Sequence, residues 1–141
     1  MATLSVSRAD VRPLPGALCR RFTAAGTILA GDAVYIDTSG DVLRADAVTF
    51  SHVISPGIAV ANNEGGTAFS SGQELDVCVS GPLAGIASPY EGSFAFISDA
   101  VGALLDDDAG SGNYRYIIGQ AHSTQVLYIR PWSDNLAQLS A

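Results

Sequence analysis

The chain has 141 residues, of which 48% are hydrophobic and 15% are charged. This composition excludes a disordered chain, allows one domain with its own core, and contains no apolar run of the roughly 20 residues that a membrane helix needs. The net charge of −7 argues against nucleic acid as a partner, because an acidic domain repels phosphate backbones.

Residues 1–25 combine arginines with apolar residues. Four arginines against one aspartate give this segment a charge of +3, whereas the remaining residues carry −10. Pro13 and Pro15 favour an extended path, so the segment is predicted to be a docking arm that lies on an acidic neighbour. Deletion of residues 1–15 is then expected to leave the rest of the chain folded. The predicted contact residues of the arm are Arg8, Arg12, Leu14, Leu18, Arg20 and Arg21.

Residues 26–132 are predicted to form an all-β barrel or sandwich. The apolar segments are short, rich in Val, Ile, Tyr and Phe, and separated by turn residues every eight to twelve positions. This spacing is typical of short antiparallel strands. Residues 38–41 predict a hairpin turn, and residues 62–72 predict an exposed loop. The predicted strands cover residues 20–24, 33–37, 42–45, 58–61, 75–80, 83–86, 94–98, 104–106, 114–121 and 125–130.

Helical turns are predicted at two places. Pro15 followed by Leu18 and Phe22 favours a single turn. In the C-terminal tail, residues 133–141, Ser133 is predicted to cap a short helix. Trp132, just before this tail, either caps the end of the barrel or anchors a contact with a partner.

Two segments of the predicted β domain are weakly alike. GDAVYID from residue 31 aligns with GSFAFIS from residue 92, and GIA from residue 57 aligns with GQA from residue 119. The repeats therefore span about residues 31–61 and 92–122, each with a hairpin, a polar connection and a return strand. Two such units are expected to pack face to face, because neither can bury its apolar side alone.

Residues that commonly perform catalysis or bind metals are few and scattered. His52 and His122 lie outside any known catalytic motif, and together with Cys19 and Cys78 they lack the spacing of a zinc site. Residues 106–108 offer carboxylate oxygens in one loop but depart from the EF-hand pattern, so a solvated turn is predicted. We therefore predict no catalytic, cofactor-binding or metal-binding residue. Free thiols are favoured over a disulfide, which would tie the arm to the body.

Several motifs follow one another in an order that resembles a known family. AGDAVYIDTSGDVLRADA begins at residue 30, ISPGIAV at residue 54 and LDVCVSGP at residue 75, and YIIGQA and LYIRP follow at residues 116 and 127. In this order, over about residues 20–131, they resemble the small capsid cement, or decoration, proteins of tailed bacteriophages.

The resemblance implies a compact β domain, usually a homotrimer, on the three-fold and quasi-three-fold axes of the outer capsid surface of the virion. There it would bridge neighbouring major capsid proteins and brace the shell, and no catalytic residues come with the family. Together with the charge and composition, this predicts no membrane or nucleic-acid partner, no cofactor and no enzymatic activity. A mean hydropathy of +0.26 agrees with this, because a surplus of apolar residues suits contacts with neighbouring subunits.

Two other classes of function stay open. A tail- or fibre-associated or glycan-binding β module would need exposed aromatic residues beside polar side chains, and the predicted loop of residues 62–72 contains only Phe69. A small oligomeric hydrolase would need an acid or base in a cleft between subunits. Asp37 and Asp99 could take that role, but nothing in the sequence singles them out.

Overall fold

The computed structural model describes residues 3–88, 91–107, 109–110 and 112–131, and the backbone of residues 137–138. This part of the chain is all-β, with a curled antiparallel sheet that forms a half-barrel, as the strand pattern predicts. A 3-10 turn covers Arg8–Asp10, and the short helix α1 covers Phe50–Val53. The strands are β1 (Ser5–Val6), β2 (Arg12–Pro13), β3 (Leu18–Thr23), β4 (Ile28–Leu29), β5 (Ala33–Ile36), β6 (Val42–Arg44), β7 (Gly57–Ala59), β8 (Ala68–Phe69), β9 (Glu74–Ala84), β10 (Ile86–Ala87), β11 (Phe94–Ile97), β12 (Leu104–Leu105), β13 (Tyr114–Arg115), β14 (Ile117–Ala121), β15 (Val126–Ile129) and β16 (Ala137–Gln138).

The 11-residue strand β9 organises the main sheet. The strand order is β12-β11-β14-β15-β9-β7-β5-β6. Strands β15 and β7 pair with successive parts of one edge of β9, and β2 and β3 pair with its opposite edge. Three small sheets, β1–β10, β4–β8 and β13–β16, complete the described architecture. Because both edges of β9 are paired, it joins the two halves of the half-barrel and the N-terminal segment.

The two repeats have the same strand pairing. In the first unit β5 pairs with β6 and β7, and in the second β11 pairs with β12 and β14. The pair Val34 and Gly57 in the first unit matches the pair Ala95 and Gly119 in the second. The units lie at opposite ends of one curled sheet, and their connections meet through backbone hydrogen bonds, such as Ala47 N–H to the Ser98 carbonyl at 2.8 Å.

Apolar side chains are buried on both faces of the sheet around β7. All three residues of β7 are buried, a pattern typical of a strand that is covered on both sides. One face belongs to the larger core, with Ile58 and Leu83, and the other to a smaller core. The smaller core includes Phe69, which is only 4% exposed. The predicted loop of residues 62–72 therefore contains a strand, β8, that covers the second face.

The N-terminal segment differs most from its prediction, because residues 3–24 are part of the β domain. Leu4 and Val11 are buried in the larger core, and β2 and β3 extend the sheet along β9. Residues 1–25 are therefore not a separate arm as far as the structure describes them. On the same ground, removal of residues 1–15 is expected to disturb the fold, in contrast to the expectation from the sequence.

The helical turn predicted from Pro15 is also wrong, since β3 begins at Leu18. Pro15 and Gly16 instead form a reverse turn, in which Ala17 N–H donates to the Leu14 carbonyl at 3.0 Å. Gly16 has φ +97° there, the conformation that the third position of a type II turn requires. The turn lets the chain continue along β9 after β2.

Two further differences concern strand boundaries. The strands predicted at 75–80 and 83–86 are one continuous β9 followed by β10, with Gly81 and Pro82 inside β9. At the C-terminus, Ala137–Gln138 is a strand where a helix is predicted. The other residues of that helix, and Trp132, lie outside the described residues.

Candidate interaction surfaces

Arg8 is partly exposed and pairs with a buried carboxylate. Its Nη1 atom donates to Asp32 Oδ1 at 3.2 Å and to the Ala30 carbonyl at 2.8 Å, and Leu29 N–H donates to Asp32 Oδ2 at 2.8 Å. Burial raises the pKa of Asp32, although the Leu29 hydrogen bond and the Arg8 charge act in the opposite direction. Arg8 therefore compensates an internal charge and is not available as a free docking residue.

The Arg8→Ala variant is expected to lose about 1–2 kcal/mol of stability at neutral pH, because it leaves the buried Asp32 carboxylate without its cation. The loss should shrink in acid, where Asp32 is protonated. The folded-state pKa of Asp32 is raised, so the protonated carboxyl favours the folded state. This stability is fully present below the pKa of Asp32 in the unfolded chain and is lost as the pH rises through the folded-state pKa. Asp32→Asn should remove this pH dependence. Denaturant unfolding between acid and neutral pH measures both effects, with the exposed Arg20→Ala as the control.

Arg21 is also paired within the chain, but at the surface. Its Nε atom donates to Asp76 Oδ1 at 3.1 Å, and its Nη1 atom lies 3.4 Å from Glu74 Oε2, both on the neighbouring strand β9. The hydrogen bond to Asp76 is the main reason that the pKa of Arg21 is raised. Exposed pairs of this kind contribute little to stability, so the pair mainly neutralises Arg21.

The remaining predicted contact residues form a strip along the outer edge of β2 and β3. Arg12 and Arg20 are exposed, Leu14 is half-buried, and Leu18 is 54% exposed. Within the described residues, no strand pairs with the side of β3 that faces away from β9. This edge strip therefore combines positive charge, an exposed apolar side chain and a free strand edge.

An apolar groove that the sequence analysis did not predict lies at the end of β5 and beside α1. It has a volume of about 660 Å³, and every described residue that lines it is uncharged. Ile36, Phe50 and Ile54 are 46%, 53% and 39% exposed there. Tyr116 lies at its base, where its hydroxyl donates to the Ser55 carbonyl at 3.3 Å, and burial raises its pKa. The groove is completed by Ser51, Ser55, Pro56 and Pro131.

The pattern of apolar residues in the sequence does not predict that the side chains of the apolar groove are exposed. Ile36 occupies a position on a strand where a core residue is the usual expectation, and Phe50 belonged to no predicted element. In the structure Phe50 packs edge-on against Tyr114, with ring centroids 5.6 Å apart, and so remains at the rim. The short helix α1, which the sequence does not predict, brings Phe50 close to Ile54, the residue that follows the helix.

A second cleft, of about 560 Å³, lies on the hairpin of β14 and β15. Tyr128 is 47% exposed in it, beside the polar side chains of Gln120, His122 and Arg130. Gln120 Nε2 donates to the Gly92 carbonyl at 2.8 Å. We call it the Tyr128 cleft; it has the combination of aromatic and polar groups that residues 62–72 lack.

Three of the side chains considered for chemistry have structural partners. His52 stacks on Tyr35 with ring centroids 4.3 Å apart, and its Nδ1 atom lies 2.9 Å from Asp46 Oδ2. Asp37 accepts hydrogen bonds from backbone N–H groups in the hairpin turn of residues 38–41, and Asp99 accepts one from Ser98. His52, Asp37 and Asp99 are therefore explained by the local fold.

Over the described ranges, no group of three or more His, Cys, Asp or Glu side chains has the arrangement of a metal site. One carboxylate of the acidic loop, Asp108, lies outside those ranges. None of the described helices has the length and apolar character to cross a membrane. Comparison of the sequence with protein-family models and with curated proteins gives no match.

Proposed function

We propose that the chain is a structural virion protein that decorates the outer surface of a phage capsid as a homotrimer and bridges major capsid proteins. The observation that carries the proposal is the apolar groove. A protein of net charge −7 repels its own copies and other acidic surfaces, and an uncharged exposed patch is where a neighbouring subunit can approach without that repulsion. The resemblance of the ordered β motifs to capsid decoration proteins supplies the identity of the assembly.

The two candidate surfaces suit different partners. The apolar groove suits a second copy of the chain, because its uncharged lining matches the apolar centre of a subunit interface. The edge strip suits an extended acidic segment of the major capsid protein, which could add to the free edge of β3 while Arg12 and Arg20 contact its carboxylates. A trimer that used both surfaces could bridge several capsid subunits at once.

The substitutions Ile36→Glu and Phe50→Glu test the first part of the proposal. Each places a charge in the apolar groove at an exposed position, so each is expected to weaken the trimer on the order of tenfold or more. Light scattering at a series of concentrations should give a trimer mass for the wild type and a monomer mass for the variants. Val101→Glu is the matched control, because Val101 is 51% exposed outside the groove. A monomeric wild type at high concentration would contradict the proposal.

A glycan-binding module is the second candidate function, and the Tyr128 cleft is the observation that favours it. An exposed aromatic ring beside amide, imidazole and guanidinium groups is suited to stacking on a sugar and hydrogen bonding its hydroxyls. If this candidate is correct, the protein should bind specific sugars on a glycan array, and Tyr128→Ala should abolish the signal. Equal signals from the wild type and the variant would exclude the cleft.

A further inference from the structure

The two cysteines of the chain lie opposite each other on neighbouring strands. Cys19 in β3 and Cys78 in β9 are direct partners in the antiparallel register, and both thiols are free. Directly opposite residues of an antiparallel pair have Cα atoms about 4.5–5.5 Å apart, inside the range of about 4.4–6.8 Å that a disulfide spans. The backbone spacing therefore fits a disulfide without a change of fold.

The side chains also face each other. Cys19 packs against the larger core, to which Cys78 belongs, and each thiol influences the pKa of the other. The Cys78 thiol also donates to the Ser80 carbonyl at 3.6 Å. The chain contains no third cysteine, so no other internal pairing competes. Any internal disulfide of this protein must therefore join Cys19 to Cys78.

The two thiols differ in access. Cys19 is half-buried at the edge strand, whereas Cys78 is buried beneath it, so a soluble oxidant meets Cys19 first. Burial raises the pKa of Cys19 and raises that of Cys78 to about 12. Because the thiolate is the reactive species, oxidation should be slow at neutral pH and faster in alkaline solution.

We propose that Cys19 and Cys78 form an oxidation site that closes to an internal disulfide and clamps β3 to β9. With oxidised glutathione, the Cys19 thiolate attacks one glutathione sulfur, breaks the glutathione disulfide and releases one glutathione thiolate. The Cys78 thiolate then attacks Cys19 Sγ in the mixed disulfide and releases the second glutathione. The two cysteine thiols lose two protons and two electrons, and oxidised glutathione is reduced to two glutathione thiols.

The clamp acts on a strand that is otherwise held from one side. β3 pairs with β9 alone in the described part of the chain, so its attachment rests on that single ladder and on side-chain packing. A bond between residues 19 and 78 closes a long loop and restricts the unfolded chain. This inference concerns the stability of β3 and does not rest on the proposed capsid role.

The test is oxidation of the folded full-length protein by oxidised glutathione at alkaline pH. The mass should fall by two hydrogen atoms, thiol titration of the denatured protein should find no free thiol, and peptide mapping should join residues 19 and 78. The melting temperature should rise by about 10 °C and return to its starting value on addition of a reductant.

Cys19→Ser is the control variant, because Cys19 is the less buried of the two. It should melt at the same temperature with and without the oxidant, and the reduced wild type serves as a second reference if the variant is unstable. Two free thiols after oxidation of the folded protein would overturn the proposal. A stable glutathione adduct on Cys19, disulfide-linked pairs of chains, or an internal disulfide that lowers the melting temperature would overturn it as well.

Discussion

Deletion of residues 1–15 is expected to destabilise the protein by on the order of 5 kcal/mol or more, a large part of the stability of a domain of this size. The deletion removes β1, β2 and the buried side chains of Leu4 and Val11. It also leaves the Asp32 carboxylate without Arg8. Circular dichroism and thermal unfolding should show a strongly destabilised or unfolded chain.

Val11→Ala isolates the packing part of this effect. Val11 is fully buried, so its truncation should cost about 1–3 kcal/mol through lost burial and a residual cavity. Val48→Ala is the matched control: the same atoms are removed at a position that is 58% exposed, and the change should stay within about 0.5 kcal/mol. A deletion variant that melts like the wild type would show that residues 1–15 are a dispensable arm.

Gly57→Ala is expected to cost about 3 kcal/mol or more, because a methyl group at this position has no space. A Cβ atom on Gly57 would overlap the Cys78 carbonyl oxygen and would also crowd the Val77 side chain in β9. A backbone carbonyl inside a sheet cannot move aside as a flexible side chain can, so the β7–β9 pairing must distort. Denaturant unfolding should give a clearly lower midpoint than that of the wild type.

Gly119→Ala should behave in the same way, because Gly119 is the equivalent residue of the second repeat and its Cβ would overlap the Tyr128 carbonyl oxygen. Gly26→Ala is the control, since a Cβ there would meet only the terminal Cδ2 of Leu43, at 2.9 Å. A Gly57→Ala variant as stable as the Gly26→Ala variant would mean that β7 and β9 are less closely packed than the structure shows.

The strands of the β domain could be predicted because their signal is local. Alternation of apolar residues and recurring turn residues are properties of short stretches, and β5, β11 and β15 fall close to their predicted positions. The Gly-x-Ala segments of the two repeats could be found for the same reason. Their glycines are required because another strand lies against them.

The N-terminal segment could not be placed from the same kind of signal. Arg8 is basic in the sequence, but its partner Asp32 lies 24 residues away, and only the fold brings the two together. Val11 stands next to Arg12 in a charged segment, and its burial depends on the larger core. The turn at Pro15 and Gly16 is different, since its signal is local: a Pro-Gly pair favours a reverse turn over the helical turn that is predicted there.

The apolar groove could not be predicted either, because the exposure of its residues depends on long-range packing. Ile36, Phe50 and Ile54 are ordinary apolar residues in the sequence, and their exposure becomes visible only when α1 and β5 are assembled. The Tyr128 cleft is similar, because Gln120 and Tyr128 become neighbours through the register of β14 and β15. Surfaces of this kind require the register of the whole sheet.

The most direct test of capsid decoration is the occupancy of the purified protein on phage heads that lack it. The heads are mixed with the wild type or with the Leu18→Ser, Arg20→Glu double variant of the edge strip and sedimented, and the bound chains per head are counted by quantitative mass spectrometry. We predict saturable binding of the wild type in multiples of three, greater resistance of the occupied heads to heat, and much weaker binding of the variant. Absence of binding to heads, or binding confined to tails or fibres, would contradict the proposed function.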